Sequence, residues 1–69
     1  ADKEQAAAVQ QAIACLPAKQ RTAVVLRYYE GLSGREIAEA MDTSLKADER
    51  LLARAREALA KRLDDYFQD

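Results

Sequence analysis

The segment from Gly31 to Arg62 constrains this chain more than any other, and its centre is the join Met41-Asp42-Thr43-Ser44. Ahead of the join, Ser33 and Glu36 stand at the spacing of a capping box. In that arrangement a hydroxyl caps the first helical turn, and a glutamate three residues on reaches back to the cap amide. Ile37, Ala38 and Met41 then fall on one helical face. Gly34 is unusual inside a helix, where glycine costs about 1 kcal/mol against alanine, but a first-turn position lowers that cost. Beyond the join, Leu45 to Leu63 contains neither Pro nor Gly and predicts a longer helix. Ser44, or Thr43, supplies its N-cap. Asp42 fills the corner, because Asp enters the left-handed region more readily than most residues. A helix of about two turns, a tight turn and a longer helix thus follow one another. This is the order of a helix-turn-helix, whose second helix is offered to the major groove of DNA.

The register of that second helix separates two faces. At about 100° per residue, Leu45, Leu52, Ala55, Leu59, Leu63 and Tyr66 gather on one side. Lys46, Arg50, Arg54 and Lys61 gather on the other, interrupted by Glu57. An apolar face backed by a mostly basic stripe suits a helix that packs inward and meets phosphate outward. Such a stripe also serves as a plain solvated surface, since Lys and Arg are good exposed helix formers. The surrounding helix-turn-helix pattern favours the first reading.

Upstream, Asp2 to Leu16 reads as a helix with Ala6, Val9, Ile13 and Leu16 on its buried face and Ala12 beside them. Cys15 reads as a small core residue. Pro17 suits a first-turn position of the next helix, Ala18 to Glu30. There Ala23, Leu26 and Arg27, with Val24, Val25 and Tyr28, form an apolar arc wide enough for a central helix. Gly31 ends it as a left-handed C-cap. Tyr28 and Tyr29 read as packing residues with wet hydroxyls rather than base-stacking platforms. At the far end, acidic residues oppose the helix dipole and predict fraying after about Leu63. Tyr66 and Phe67 either pack back onto the first helix or stand exposed.

Composition supports an all-α fold, a small four-helix domain with a C-terminal helix-turn-helix, occupying residues 1–69 as one unit. The chain is 49% hydrophobic, and the β-branched alternation of strands is nearly absent. The formal net charge of −1 runs against a strongly basic nucleic-acid binder, although acidic residues concentrate at the ends, with Asp64, Asp65 and Asp69 in the last six positions. One cysteine and no histidine exclude an internal disulfide, a Cys/His zinc site and a Cys-His nucleophilic pair. With no metal-ligand cluster and no Gly-rich phosphate loop, the sequence predicts no cofactor and no enzymatic activity. The absence of a signal peptide or a membrane-length apolar run predicts a cytoplasmic location and no membrane contact. The chain begins without Met, which predicts a piece of a longer protein.

Several stretches together resemble a known family. They are Leu16-Pro17-Ala18-Lys19-Gln20-Arg21, then Val24-Val25-Leu26-Arg27-Tyr28-Tyr29-Glu30-Gly31-Leu32-Ser33, then Glu36-Ile37-Ala38, then Leu52-Ala53-Arg54-Ala55-Arg56-Glu57-Ala58-Leu59. Over about residues 10 to 63 this order is similar to region 4 of bacterial sigma factors, with the extracytoplasmic-function group nearest in look. The resemblance implies a domain that docks on core RNA polymerase, reads the −35 element of promoter DNA with the second motif helix, and is commonly covered by an anti-sigma factor. It places Tyr28 and Tyr29 in the apolar support of the motif. Carried over by position, the DNA-facing set is Lys46, Ala47, Glu49, Arg50, Ala53 and Arg54, with Ser44 at the helix start. Arg50 and Lys46 are assigned to base edges or the nearest phosphates, Arg54 to phosphate, and Arg35 to a backbone contact. Arg56 flanks the apolar face and serves equally well as an intramolecular salt-bridge partner.

The chain departs from the family pattern where function should reside. Asp48 replaces an apolar residue and by register lies on the apolar face, where a carboxylate is costly unless paired. Partial exposure of the first turn and its free amides would ease that cost. Glu49 replaces a basic residue; it repels phosphate but can accept from cytosine N4. Leu51 and Ala53 replace polar or aromatic residues, while Arg50 is basic where small hydroxyl residues are common. These departures and the low net charge support an alternative reading, a sigma-like module that binds an anti-sigma factor without itself reading DNA. A repressor or response-regulator output domain is a third reading, opposed by the Leu16-Pro17 and Gln20-Arg21 opening.

Overall fold

The computed structural model describes residues 2 to 67, with side chains described for residues 3 to 64. Helix α1 spans Asp2–Ala14. The chain then tightens: the Cys15 amide donates to the Gln11 and Ala12 carbonyls, and the Leu16 amide to Ile13. The helix thus ends before the expected Leu16; Leu16 is buried as expected, whereas Cys15 is exposed, correcting the expected burial of the thiol. Ala12 and Ile13 are buried as expected and Val9 is half-buried, but Ala6 is exposed.

Pro17, with φ −54 and ψ 149, caps α2 (Ala18–Val24) from outside the first turn instead of sitting within it. The helix continues without a break into a π-helical turn over Val25–Tyr29. The Glu30 amide reaches five residues back to Val25, and the Leu32 amide six back to Leu26. The extra residue widens the turn, a feature that apolar spacing does not signal. Gly31 closes it at φ +74, the left-handed conformation expected of it. Ala23 and Val24 are buried, whereas Tyr28 and Tyr29 are 57% and 58% exposed. The tyrosines therefore form surface and are not packed inside.

Helix α3 (Gly34–Ala40) and helix α4 (Leu45–Phe67) complete the motif. The α3 C-terminus is a Schellman closure, in which the Thr43 amide donates to Ala38 at 2.8 Å and the Asp42 amide to Glu39 at 3.2 Å. Asp42 takes the left-handed position at φ 54. Helix α4 does not stop at Leu63 but continues to Phe67; Asp64 is exposed, and water screens its unfavourable position near the C-terminus. The side chains of Tyr66 and Phe67 lie outside the described residues. One core unites Ile13 and Leu16, Ala23 and Val24 of α2, Ile37 of α3, and Leu52 and Ala55 of α4. Leu45, expected on the inward face, is 38% exposed. Among the described residues there is no strand.

Candidate nucleic-acid interface

Caps fix the start of both motif helices. The Glu36 amide donates to the Ser33 hydroxyl at 3.2 Å, and the Ser33 amide donates to Glu36 Oε1 at 2.8 Å. These bonds, the backbone one foremost, hold the Glu36 carboxyl below the usual carboxylate range. At α4 the Ser44 hydroxyl accepts from the Ala47 amide at 3.1 Å, and the Ser44 carbonyl accepts from Asp48 at 3.0 Å. Ser44 and not Thr43 is the N-cap.

From that start, Lys46, Glu49, Arg50, Ala53 and Arg54 are all exposed. They recur at three- and four-residue intervals, so the structure brings them together on the outward side of the first half of α4. Ala47 is half-buried and contributes only part of its methyl to this surface. Arg35, exposed in the first turn of α3, lines the same pocket as Glu49 and so flanks the stripe. Lys61 is exposed but lies eleven residues beyond Arg50, roughly 16 Å along the axis, and stands apart from this cluster.

Beneath the stripe lies the largest departure from expectation. Asp48 is fully buried, and among the described residues neither carboxylate oxygen has a hydrogen-bond partner. Burial pushes its carboxyl above the usual range; the Arg27 charge opposes that rise and Glu49 adds to it. The partial exposure expected for the first turn of α4 does not exist at this position. Register placed Asp48 on the inward face, but it did not reveal how closely α3 covers it. Gly34 was the available signal: a Cβ there would stand 3.0 Å from Leu45 Cδ1 and 3.5 Å from Asp48 Oδ2. A pocket of about 460 Å³ opens beside this contact, lined among others by Arg27, Arg35, Asp48, Glu49 and Arg56.

Arg56 is tied inside the domain: its Nε donates to the Tyr28 hydroxyl at 3.1 Å, linking α4 to the π-helical turn. Its partner is a phenol and not a carboxylate. A second, apolar pocket of about 300 Å³ lies beside this bond, lined by Val9, Ile13, Val24, Tyr28, Tyr29, Arg56 and Leu59. The sequence did not signal this pocket, because both tyrosines read as packing residues with only their hydroxyls wet. Among the described residues, no group of His, Cys, Asp or Glu is placed to hold a metal ion, and no helix is long and apolar enough to cross a membrane.

A small helical domain that presents a capped recognition helix, with basic side chains along its outward face, belongs to the DNA-recognition domains of transcription regulators. The family model described as Sigma-70, region 4 matches residues 6–59, and the chain belongs to that family. The matching model is consistent with the extracytoplasmic-function group. The family is a DNA-binding regulatory one that works with promoter DNA and core RNA polymerase, and it is not a catalytic family. No curated protein matches the chain.

Proposed function

We propose that this domain directs RNA polymerase to promoters by reading the −35 element with the first half of α4, as one region of a longer, cytoplasmic sigma factor. The observation that carries this reading is the exposed run Lys46, Glu49, Arg50, Ala53 and Arg54 on a helix capped by Ser44. In this reading Arg50 and Lys46 reach base edges or the nearest phosphates, and Arg54 and Arg35 neutralise phosphate. Glu49 accepts from a cytosine N4, and the methyl groups of Ala47 and Ala53 allow close approach to the groove. Ser44 brings the helix N-terminus up to the backbone.

The test is binding to a −35-like duplex and to a scrambled duplex across a salt series. Sequence-dependent binding that weakens with salt and is lost in Arg50→Ala is the expected result. Equal, negligible binding to both duplexes at low salt, with the fold intact by circular dichroism, overturns it.

A second reading is favoured by the apolar pocket beside Tyr28 and Tyr29 and by the net charge of −1. In it the domain is a protein-docking module held by an anti-sigma factor. Both readings need an apolar docking surface, the first for core polymerase. Only the first loses function when Arg50 is removed.

A further inference from the structure

The unpartnered carboxylate of Asp48 asks for a counter-ion. Each of its oxygens has less than 1 Å² of accessible surface, so a ligand or partner protein cannot reach it in this conformation. The partner must come from the chain itself, among the polar groups that line the adjoining pocket: Arg27 of the π-helical turn, Ser33 and Arg35 at the start of α3, and Glu49 and Arg56 of α4. The Ser33 hydroxyl accepts from the Glu36 amide and carries no charge, so it is no counter-ion, and Arg56 donates to Tyr28 through Nε. Glu49 carries the wrong sign. Among the described residues Arg27 makes one hydrogen bond, from Nη1 to the Leu32 carbonyl at 3.4 Å, at the long limit for such a bond. Its charge is also the one that acts favourably on the Asp48 carboxylate.

We propose that Arg27 is a positioning residue for the recognition helix: when Asp48 ionises, the Arg27 guanidinium leaves the Leu32 carbonyl, enters the shared pocket and pairs with Asp48, fixing the seat of α4 on α3. With Asp48 protonated the pair is open, as in the structure described above. The pocket is large enough to receive the guanidinium, and Gly34 puts no side chain of its own against Asp48 Oδ2, which lies 3.5 Å from where its Cβ would stand. Arg35 of α3 and Arg56 of α4 are the rival counter-ions, since both line the same pocket. The inference concerns the chain's own stability and does not rest on which DNA is read.

The experiment is a double-mutant cycle with Arg27→Met and Asp48→Asn in the full chain, followed by thermal unfolding at about pH 4.5 and about pH 8. Arg27→Met is expected to lower Tm by several degrees at the higher pH and to change it little at the lower. In the Asp48→Asn background the same substitution is expected to change Tm little at either pH. An equal effect in both backgrounds overturns the pair, and so does coupling that appears with Arg35→Met or Arg56→Met in place of Arg27→Met. Folding lost in Arg27→Met at the higher pH but kept in Arg27→Lys supports the pair as a Tm shift would. Folding lost in both variants at both pH values overturns it.

Discussion

Gly34 and Asp48 meet across the helix-turn-helix, the Asp48 Oδ2 lying 3.5 Å from the point where a Cβ on residue 34 would stand. The same point is 3.0 Å from Leu45 Cδ1, so the first turns of α3 and α4 close on each other through a missing side chain. Leu45 is 38% exposed and can swing aside for a methyl group. Gly34→Ala is therefore expected to change stability by no more than about 0.5 kcal/mol, the gain in helix propensity offsetting the displacement. Gly34→Val adds branches that Leu45 cannot clear, and overpacking of this kind costs about 1–3 kcal/mol. Urea unfolding of the two variants checks this; equal effects would show that the contact is looser than described.

Asp48→Val should stabilise the domain at neutral pH by about 1–4 kcal/mol, as replacement of buried charge by apolar side chains often does. The sign of the pH dependence follows from the raised carboxyl. Stability tied to protonated Asp48 is fully present below the unfolded-state value, near 3.9 for Asp (approximately), and is lost as pH rises through the higher folded-state value. Unfolding free energies of the wild type should fall over that window, and those of Asp48→Val should not. A parallel fall in both proteins would remove Asp48 as the cause.

The Ser33–Glu36 box acts in the opposite sense. The folded-state value of Glu36 is depressed, so its contribution is present above the unfolded value and lost as pH falls through the folded one. Ser33→Ala should lower stability by about 1 kcal/mol at neutral pH. It should also remove part of the acid-side decline, because the carboxylate then loses the hydroxyl that helps hold it. Denaturant melts of the variant and wild type at several acidic pH values measure both effects, and an unchanged acid limb contradicts the assignment.

On the proposed DNA face, Arg54→Ala should weaken binding to specific and scrambled duplexes alike and reduce the salt slope by about one. Arg50→Ala should cost about 1–3 kcal/mol on the specific duplex and narrow the gap between the two. Fluorescence anisotropy titrations at several salt concentrations separate these behaviours. A specificity change in Arg54→Ala would exchange the two roles.

The motif was legible because local chemistry decides it. Ser33, Glu36, Gly31, Asp42 and Ser44 each do in the structure what their side chains favour in isolation. The all-α architecture followed from periodicity, as did the inward positions of Ile37, Leu52 and Ala55. Cys15 was misplaced against register: it stands roughly 100° around the helix from the Val9, Ile13 and Leu16 face, so register already pointed it away from the core. What else failed depended on distant packing or on a count shifted by one residue. Tyr28 and Tyr29 follow the π-helical widening, which displaces every later position on the helix. Asp48 was placed on the correct face, but its depth depends on Gly34 fourteen positions earlier, and no periodic pattern links the two. The exposure of Lys46, Glu49, Arg50, Ala53 and Arg54 followed from register, since outward positions are the complement of a well-marked core, whereas Ala47 is half-buried and Lys61 stands apart.

Asp42 has a further consequence, one that concerns the unfolded chain. A left-handed backbone costs a side-chain-bearing residue roughly 1–2 kcal/mol, less for Asp than for most. Glycine at this corner would remove that cost, but it would also widen the range of shapes open to the denatured ensemble, a loss of about 0.4–1 kcal/mol. The two effects nearly cancel, so stability exerts little selection between Asp and Gly here. Residue 42 is exposed at the mouth of the recognition helix. Its charge can thus change with little effect on the stability of the fold.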